Sequence, residues 1–135
     1  MPELPEVENL RIGLEKNILG QKIVDAKVRK PKLVSGKGTL RTPSIKKVKE
    51  FENGLRGETF FQIERRAKNL IFRFKSGKVL LVHLKMSGQF VYKGSTNNKK
   101  IIGGHPIEIS EKELPNKHTH VTFELNRGSL YYNDT

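Results

Sequence analysis

The sequence predicts an α+β domain that is mainly β, an antiparallel two-sheet β-sandwich of about 6–8 strands with an N-terminal helix and a short second helix. Three observations carry this prediction. The first segment has an apolar stripe at helical spacing. Most of the chain beyond residue 58 consists of short runs rich in β-branched and aromatic residues with no helix between them, which means antiparallel pairing. A length of 135 residues suits one domain that buries most of its apolar surface.

The N-terminal helix is predicted over residues 5–18. Its apolar side chains recur at intervals of three and four residues, at Val7, Leu10, Leu14 and Ile18. Pro5 falls in the first turn, where the missing N–H is tolerated, and Gly20 supplies a stop.

The rest of the chain divides into strands, turns and one more helix. A short basic helix is predicted over residues 45–53. Strands are predicted over residues 22–29, 58–64, 69–74, 79–84, 89–92, 120–125 and 129–132. Ser76-Gly77 and Arg127-Gly128 stand at hairpin spacing, and residues 93–117 are polar enough to predict an exposed loop.

Charge is the strongest compositional signal. Lys and Arg number 26 against 14 acidic residues, which gives a formal net charge of +12. Such an excess favours a polyanionic partner, nucleic acid before an anionic membrane, although a merely basic soluble protein is compatible with it. The chain contains no cysteine. No run approaches the roughly 18 apolar residues of a membrane helix, and the acidic start is no signal peptide, so the cytoplasm, or the nucleus of a eukaryote, is expected.

Five segments resemble the formamidopyrimidine-DNA glycosylases, in the same order. They are residues 1–7 (MPELPEV), 65–68 (RRAK), 83–88 (HLKMSG), 117–121 (KHTHV) and 130–134 (LYYND). Each segment alone is weak, but together they span nearly the whole chain. Leu4 stands where the related endonuclease VIII branch usually has glycine, which favours the formamidopyrimidine branch.

The resemblance implies a bifunctional glycosylase and abasic-site lyase for oxidised purines, with Pro2, Glu3 and Lys68 as catalytic residues. Once Met1 is removed, Pro2 offers a secondary amine, and α-amino groups titrate near about 7.7–8.0. The adjacent helix N-terminus disfavours the protonated amine, so the neutral nucleophile is more abundant. Glu3 is implied as the proton donor and Lys68 as a phosphate contact that assists proton transfer. The plainer alternatives are an ordinary Met-Pro start, an acidic first turn and a surface lysine.

The resemblance also implies DNA contacts. Met86 beside a turn is implied as a wedge that fills the gap left by a flipped nucleotide, although methionine is more often a core residue. The other implied contacts are Glu6 near the damaged base, Arg66 or its neighbour Arg65, His83 and His118. The pair His118 and His120 lacks a third ligand nearby, so no metal site is predicted.

The chain departs from the family pattern in places. Lys85 replaces a usual glycine, and Asn69 replaces a common aromatic residue. The chain stops at Thr135, so we expect residues 1–135 to form the N-terminal catalytic β-sandwich domain, without the family's helix–two-turn–helix and zinc-finger domains. No cofactor is expected in this chain, zinc being implied for the missing part.

The expected partner is double-stranded DNA with an oxidised purine or abasic site, bound by a monomer. The isolated domain is expected to fold but to be nearly inactive on duplex DNA.

Two alternative functions stay open. One is a non-catalytic DNA-binding homologue or module. The other is an RNA-binding β-barrel with a stacking platform, formed by Phe72, Phe74, Phe90 and Phe123.

Overall fold

The computed structural model describes residues 4–29, 45–83, 88–94, 99–104 and 119–134. These residues form two helices and eight strands: α1 (Leu4–Ile18), β1 (Ile23–Val28), α2 (Ile45–Leu55), β2 (Phe60–Arg66), β3 (Asn69–Phe74), β4 (Val79–His83), β5 (Gln89–Gly94), β6 (Lys99–Gly104), β7 (Thr119–Leu125) and β8 (Gly128–Asn133). One sheet has the order β1-β7-β8-β5-β6 and the other β2-β3-β4, and every neighbouring pair is antiparallel. The predicted two-sheet, mainly β fold with two helices is confirmed.

The helix α1 buries the stripe that predicted it. Val7, Leu10, Leu14 and Ile18 are all fully buried in the core. Gly20 follows the helix with a φ of +84°, a conformation that favours glycine, and lets the chain turn into β1. The apolar periodicity therefore fixes both the length of α1 and the face that it packs on the sheets.

The turn after α1 joins the two sheets at one end of the sandwich. The backbone N–H of Gly20 donates to the Phe60 carbonyl at 2.9 Å, and the N–H of Asn126 donates to the Lys22 carbonyl at 3.1 Å. Between them the buried Gln21 side chain donates to the Tyr92 hydroxyl at 2.8 Å and accepts from the Arg127 N–H at 3.0 Å. A buried amide with these partners satisfies its polar atoms and fixes how the sheets meet.

An aromatic row crosses the core between the sheets. Phe60 lies 5.1 Å from Phe74 and 5.8 Å from Phe72, ring centre to ring centre. Phe72 in turn lies 6.0 Å from Phe90 on the other sheet, and Phe90 lies 5.2 Å from Tyr132 on that same sheet. These tilted contacts at 5–6 Å are favourable aromatic geometry.

The alternative of an RNA-binding stacking platform is contradicted by burial. Its four phenylalanines, Phe72, Phe74, Phe90 and Phe123, are all buried in the core. Bases cannot stack on rings that the core covers.

The prediction of an uninterrupted exposed loop over residues 93–117 was wrong. Within this span β5 continues to Gly94, and β6 occupies Lys99–Gly104, paired with β5. Two lysines and two glycines flank the Ile101-Ile102 pair, so the local pattern is weak. The pairing with β5 therefore overrides local propensity. The turn-forming residues between the two strands, Ser95 to Asn98, were the signal that could have predicted this hairpin.

The free edge of the five-stranded sheet at β1 is covered by α2. The N–H of Val28 donates to the Glu52 carboxylate at 2.8 Å, and Arg56 pairs with Asp25 at 2.7 Å. Covering an edge in this way blocks pairing with another chain.

Among the described residues, no helix combines the length and the apolarity needed to cross a bilayer.

The turn between β2 and β3 is tighter than predicted and holds an unusual backbone. It consists of Ala67 and Lys68, because Arg66 already pairs with Asn69. Ala67 has a φ of +52°, and Gly77, in the predicted and confirmed β3–β4 turn, has a φ of +95°. An L-residue at positive φ is strained by about 1–2 kcal/mol.

We expect opposite effects from substitutions in these two turns. A67G should raise the free energy of unfolding by about 0.5 kcal/mol, because the relieved strain exceeds the added entropy of the unfolded chain. G77A should lower it by about 1 kcal/mol through backbone strain alone, since an added Cβ meets nothing within 4 Å. Urea unfolding measures both values. A loss of stability in A67G as large as that in G77A contradicts strain at Ala67.

Candidate functional site

The predicted site residues divide into two groups. Pro2, Glu3, Met86 and His118 lie outside the described residues. The structure places the other four. Glu6 is exposed in the first turn of α1, Arg66 ends β2, Lys68 lies half-buried in the β2–β3 turn, and His83 ends β4.

One end of the three-stranded sheet carries three of these residues, Arg66, Lys68 and His83. Arg66 is paired in register with Asn69, and Asn69 with His83, so the side chains of Arg66, Asn69 and His83 share a row and a face. All three are exposed, and Lys68 stands in the turn directly beside them. Two cationic side chains and an imidazole thus line an open sheet end, which is suited to contact phosphate.

A buried polar row occupies the corresponding end of the five-stranded sheet. Thr119 pairs with Asn133 and Asn133 with Gln89, and all three are buried. The Thr119 hydroxyl donates to the Asn133 side-chain carbonyl at 2.7 Å. Strand patterning alone predicted none of these residues as a cluster, although three polar side chains at strand ends were the available signal.

The two rows lie at the same end of the sandwich. His83 and Gly88 are separated in the chain by residues 84–87 alone, so these four residues connect the first row to the start of β5. The helix α1 begins at this end too, because its early residue Glu8 pairs with Arg65 near the end of β2, while Gly20 reaches Phe60 at the start of β2. We call this the motif end.

The described residues of all five recognised segments adjoin the motif end. Segment 1–7 overlaps the beginning of α1, segment 65–68 ends β2 and forms the β2–β3 turn, and segment 83–88 begins at the end of β4 and ends just before β5. Segment 117–121 enters β7, and segment 130–134 leaves β8. Sequence separation alone did not reveal this convergence.

A cavity of about 390 Å³ lies between α1 and β2, next to this end. Three side chains of α1 and five residues of β2 line it: Glu8, Arg11 and Glu15 from the helix, and Gln62, Ile63, Glu64, Arg65 and Arg66 from the strand. The spacing of Glu8, Arg11 and Glu15 along the helix was the sequence signal for this cluster.

Two ion pairs within α1 border the cavity, and one further pair crosses it from helix to strand. Arg11 binds Glu8 through Nη2 at 2.6 Å and through Nε at 3.0 Å, and it binds Glu15 through Nη1 at 2.6 Å. Arg65 Nε donates to Glu8 at 3.1 Å, and Arg65 Nη1 donates to the Ala67 carbonyl at 3.1 Å. On the outer face of the sheet, Arg73 binds Glu64 through Nε at 2.9 Å.

These contacts change the acidity of the carboxyl groups. Hydrogen bonds from Arg11 first, and then from Arg65, lower the pKa of Glu8 from 4.5 to about 2. Reciprocally, the hydrogen bond to Glu8 raises the pKa of Arg11. The hydrogen bond from Arg73 likewise lowers the pKa of Glu64. Glu8 therefore stays ionised, and paired, well into the acid range.

Acid should remove the contribution of Glu8 to stability in a defined range. A carboxyl with a lowered folded-state pKa contributes fully above pH 4.5 and loses its contribution as the pH falls toward about 2. We expect E8Q to be less stable than wild type above pH 4.5, with the difference vanishing toward pH 2. Urea titrations across this range measure it, with E50Q on the exposed face of α2 as the control. A pH-independent difference contradicts this prediction.

Within the part of the chain that the structure describes, no three His, Cys, Asp or Glu side chains are grouped to hold a metal ion.

The family model of the formamidopyrimidine-DNA glycosylase N-terminal domain matches residues 1–135. The formamidopyrimidine-DNA glycosylase of Ligilactobacillus salivarius is 38% identical over 135 residues, covering 99% of this chain and 40% of the relative. That of Streptococcus mutans is 37% identical over 136 residues, covering 99% of this chain and 40% of the relative.

Solved structures give the same match. A complex of the Lactococcus lactis Fpg protein with abasic-site-containing DNA superposes with a TM-score of 0.70 at 32% identity, covering 99% of this chain and 40% of that one. A MutM protein in complex with carbocyclic 8-oxo-G-containing DNA gives 0.72 at 31% identity, covering 99% and 41%. The chain thus spans about 40% of the length of the relatives that it matches.

Proposed function

The chain belongs to the formamidopyrimidine-DNA glycosylase N-terminal domain family, and from this membership we propose that it is the catalytic domain of a base-excision repair glycosylase and abasic-site lyase. The observation that carries the proposal is the convergence of all five recognised segments on the motif end. The proposed substrate is double-stranded DNA with an oxidised purine or an abasic site, in the cytoplasm or nucleoid of a bacterium.

The first proposed step is attack by the Pro2 amine on C1′ of the damaged nucleotide. The amine lone pair forms a bond to C1′ while the C1′–base bond breaks. The base leaves with the electron pair of the broken bond and gains a proton. The amine then loses its own proton. Glu3 protonates the ring oxygen, the sugar opens, and the product is an iminium between the proline nitrogen and C1′.

Strand cleavage follows from the iminium. Loss of a proton from C2′ expels the 3′ phosphate, and a second elimination expels the 5′ phosphate. Lys68 is the proposed phosphate contact and proton-transfer aid. Its turn lies between two paired strands, which fix the position of its backbone.

The motif end also supplies the proposed DNA contacts. The exposed row of Arg66 and His83 faces solvent and is suited to the phosphate backbone. Glu6 in the first turn of α1 is proposed to lie near the damaged base. Met86, between the two rows in the chain, is the proposed wedge, and His118, which directly precedes β7, a further contact.

A trapping experiment tests the proposal. The purified chain is incubated with a single-stranded oligonucleotide that carries one abasic site, and borohydride reduces any iminium to a stable crosslink. We propose that peptide mapping finds the crosslink on Pro2, and that duplex substrate gives little product with these 135 residues alone, because they span only about 40% of the Lactococcus lactis relative. Crosslinks confined to lysines favour the non-catalytic DNA-binding alternative, as does an intact mass that retains Met1.

Zinc has no part in these steps. The resemblance implies a zinc finger of four cysteines, and the sequence of this chain contains no cysteine. The residues present therefore do not fit that metal, and no step is assigned to it.

A further inference from the structure

Two forces hold α1 on the sandwich, and they differ in directionality. The buried stripe of α1 packs on the core, and apolar contact of this kind is non-directional. The ion pair between Glu8 and Arg65 joins the helix to the strand and imposes a direction, because a charged hydrogen bond requires a defined distance and angle. Glu8 lies near the beginning of α1, next to the motif end.

A continuous chain of contacts runs from the helix to the Lys68 turn. Glu8 Oε1 accepts from Arg11 at 3.0 Å and from Arg65 at 3.1 Å, while Glu8 Oε2 accepts from Arg11 at 2.6 Å. Arg65 then donates to the carbonyl of Ala67 at 3.1 Å. Ala67 is the residue with positive φ and directly precedes Lys68. Glu8 is thereby connected to the backbone of the turn through one side chain.

Stability alone does not account for this arrangement. The Glu8 and Arg65 side chains remain 37% and 31% exposed, and ion pairs of this exposure contribute little to stability. A strained turn backbone bound by an arginine is the pattern of a site whose geometry is held at some cost in stability.

We propose that Glu8 and Arg65 are positioning residues, which hold the beginning of α1 and the Lys68 turn in one fixed relation. Since two peptide units separate Pro2 from Leu4, the orientation of α1 decides where the Pro2 amine can reach. The inference rests on the proposed function. It adds that Glu8 and Arg65 bring the amines of Pro2 and Lys68 to the same nucleotide without touching it.

The kinetic test is a double-mutant cycle in the trapping reaction. E8Q and R65Q should each lower the maximal trapping rate about tenfold while the apparent affinity for the oligonucleotide changes little, because misplacement affects the reaction more than binding. The double variant should be no slower than either single variant, since one connection is lost in all three. E64Q, which breaks the pair with Arg73 beside the same cavity, is the matched control and should react at the wild-type rate.

A structural measurement tests the same inference without chemistry. The chain has no cysteine, so N9C on the exposed face of α1 carries a single nitroxide label. The relaxation enhancement of the Lys68 and Asn69 amides then reports the distance from helix to turn. We expect it to change in E8Q and R65Q and to stay unchanged in E64Q.

The outcomes separate the two proposals. Unchanged enhancement in E8Q, or additive losses of trapping rate in the double variant, overturns the positioning role. If the wild-type chain shows no crosslink at Pro2, the proposed function fails, and the label experiment alone decides whether Glu8 and Arg65 fix the helix to the turn.

Discussion

The F72A variant is expected to lose about 4 kcal/mol of unfolding free energy, as large aromatic truncations in a core do. Phe72 is 1% exposed, and its ring contacts Phe60 in its own sheet and Phe90 in the other. Removing it leaves a cavity at the point where the aromatic row passes from one sheet to the other. Because small domains are stable by about 5–15 kcal/mol, the loss is a large fraction of the total.

Phe61 provides the matched control for this experiment. It lies on β2 beside the buried Phe60 but is 60% exposed. F61A should therefore change the free energy of unfolding by no more than about 0.5 kcal/mol. Urea unfolding followed by circular dichroism measures both variants. Equal losses in F72A and F61A would mean that the aromatic row does not carry the contact between the sheets.

Blocking the N-terminal amine is expected to lower borohydride trapping at least about 100-fold, which corresponds to about 2.7 kcal/mol of activation free energy. An N-acetyl group converts the proline nitrogen into an amide, whose lone pair is delocalised and cannot attack C1′. A retained Met1 does the same to Pro2 but presents an α-amine of its own, so the acetylated chain is the blocked form to use. Lysine amines are in general much more basic than α-amino groups and so are poorer nucleophiles at neutral pH.

The measurement compares blocked and free chains of equal concentration on the same abasic oligonucleotide. P2G is an unsuitable substitute, because glycine still offers an α-amine. Circular dichroism of the blocked chain serves as the control and should match that of the free chain. A blocked chain that crosslinks at the rate of the free chain excludes Pro2 as the nucleophile.

The sequence predicts those parts of the fold that depend on local pattern. The stripe from Val7 to Ile18 and the glycine after it predicted α1 to within a residue. Local pattern failed at β6, where pairing with β5 outweighs a weak strand signal. It also missed the two-residue turn at Ala67, because positive φ at alanine has no propensity signal.

The site shows the same division. Recognised segments identified Arg66, Lys68 and His83, but the row that brings Arg66 and His83 together beside the Lys68 turn depends on the register between β2, β3 and β4. The partnership of Glu8 with Arg65 was missed because it joins residues 57 positions apart. Such contacts follow from topology, and no spacing rule for a single helix or strand reveals them.

The pairing of β1 with β7 has a consequence for synthesis. In the five-stranded sheet Ile23 pairs in register with Leu125, which lies far along the chain. On the ribosome, α1 and the three-stranded sheet emerge first, and β1 then waits with an open edge until β7 appears. Such long-range closure is slow, and until β7 appears the unpaired edge of β1 is available for aggregation.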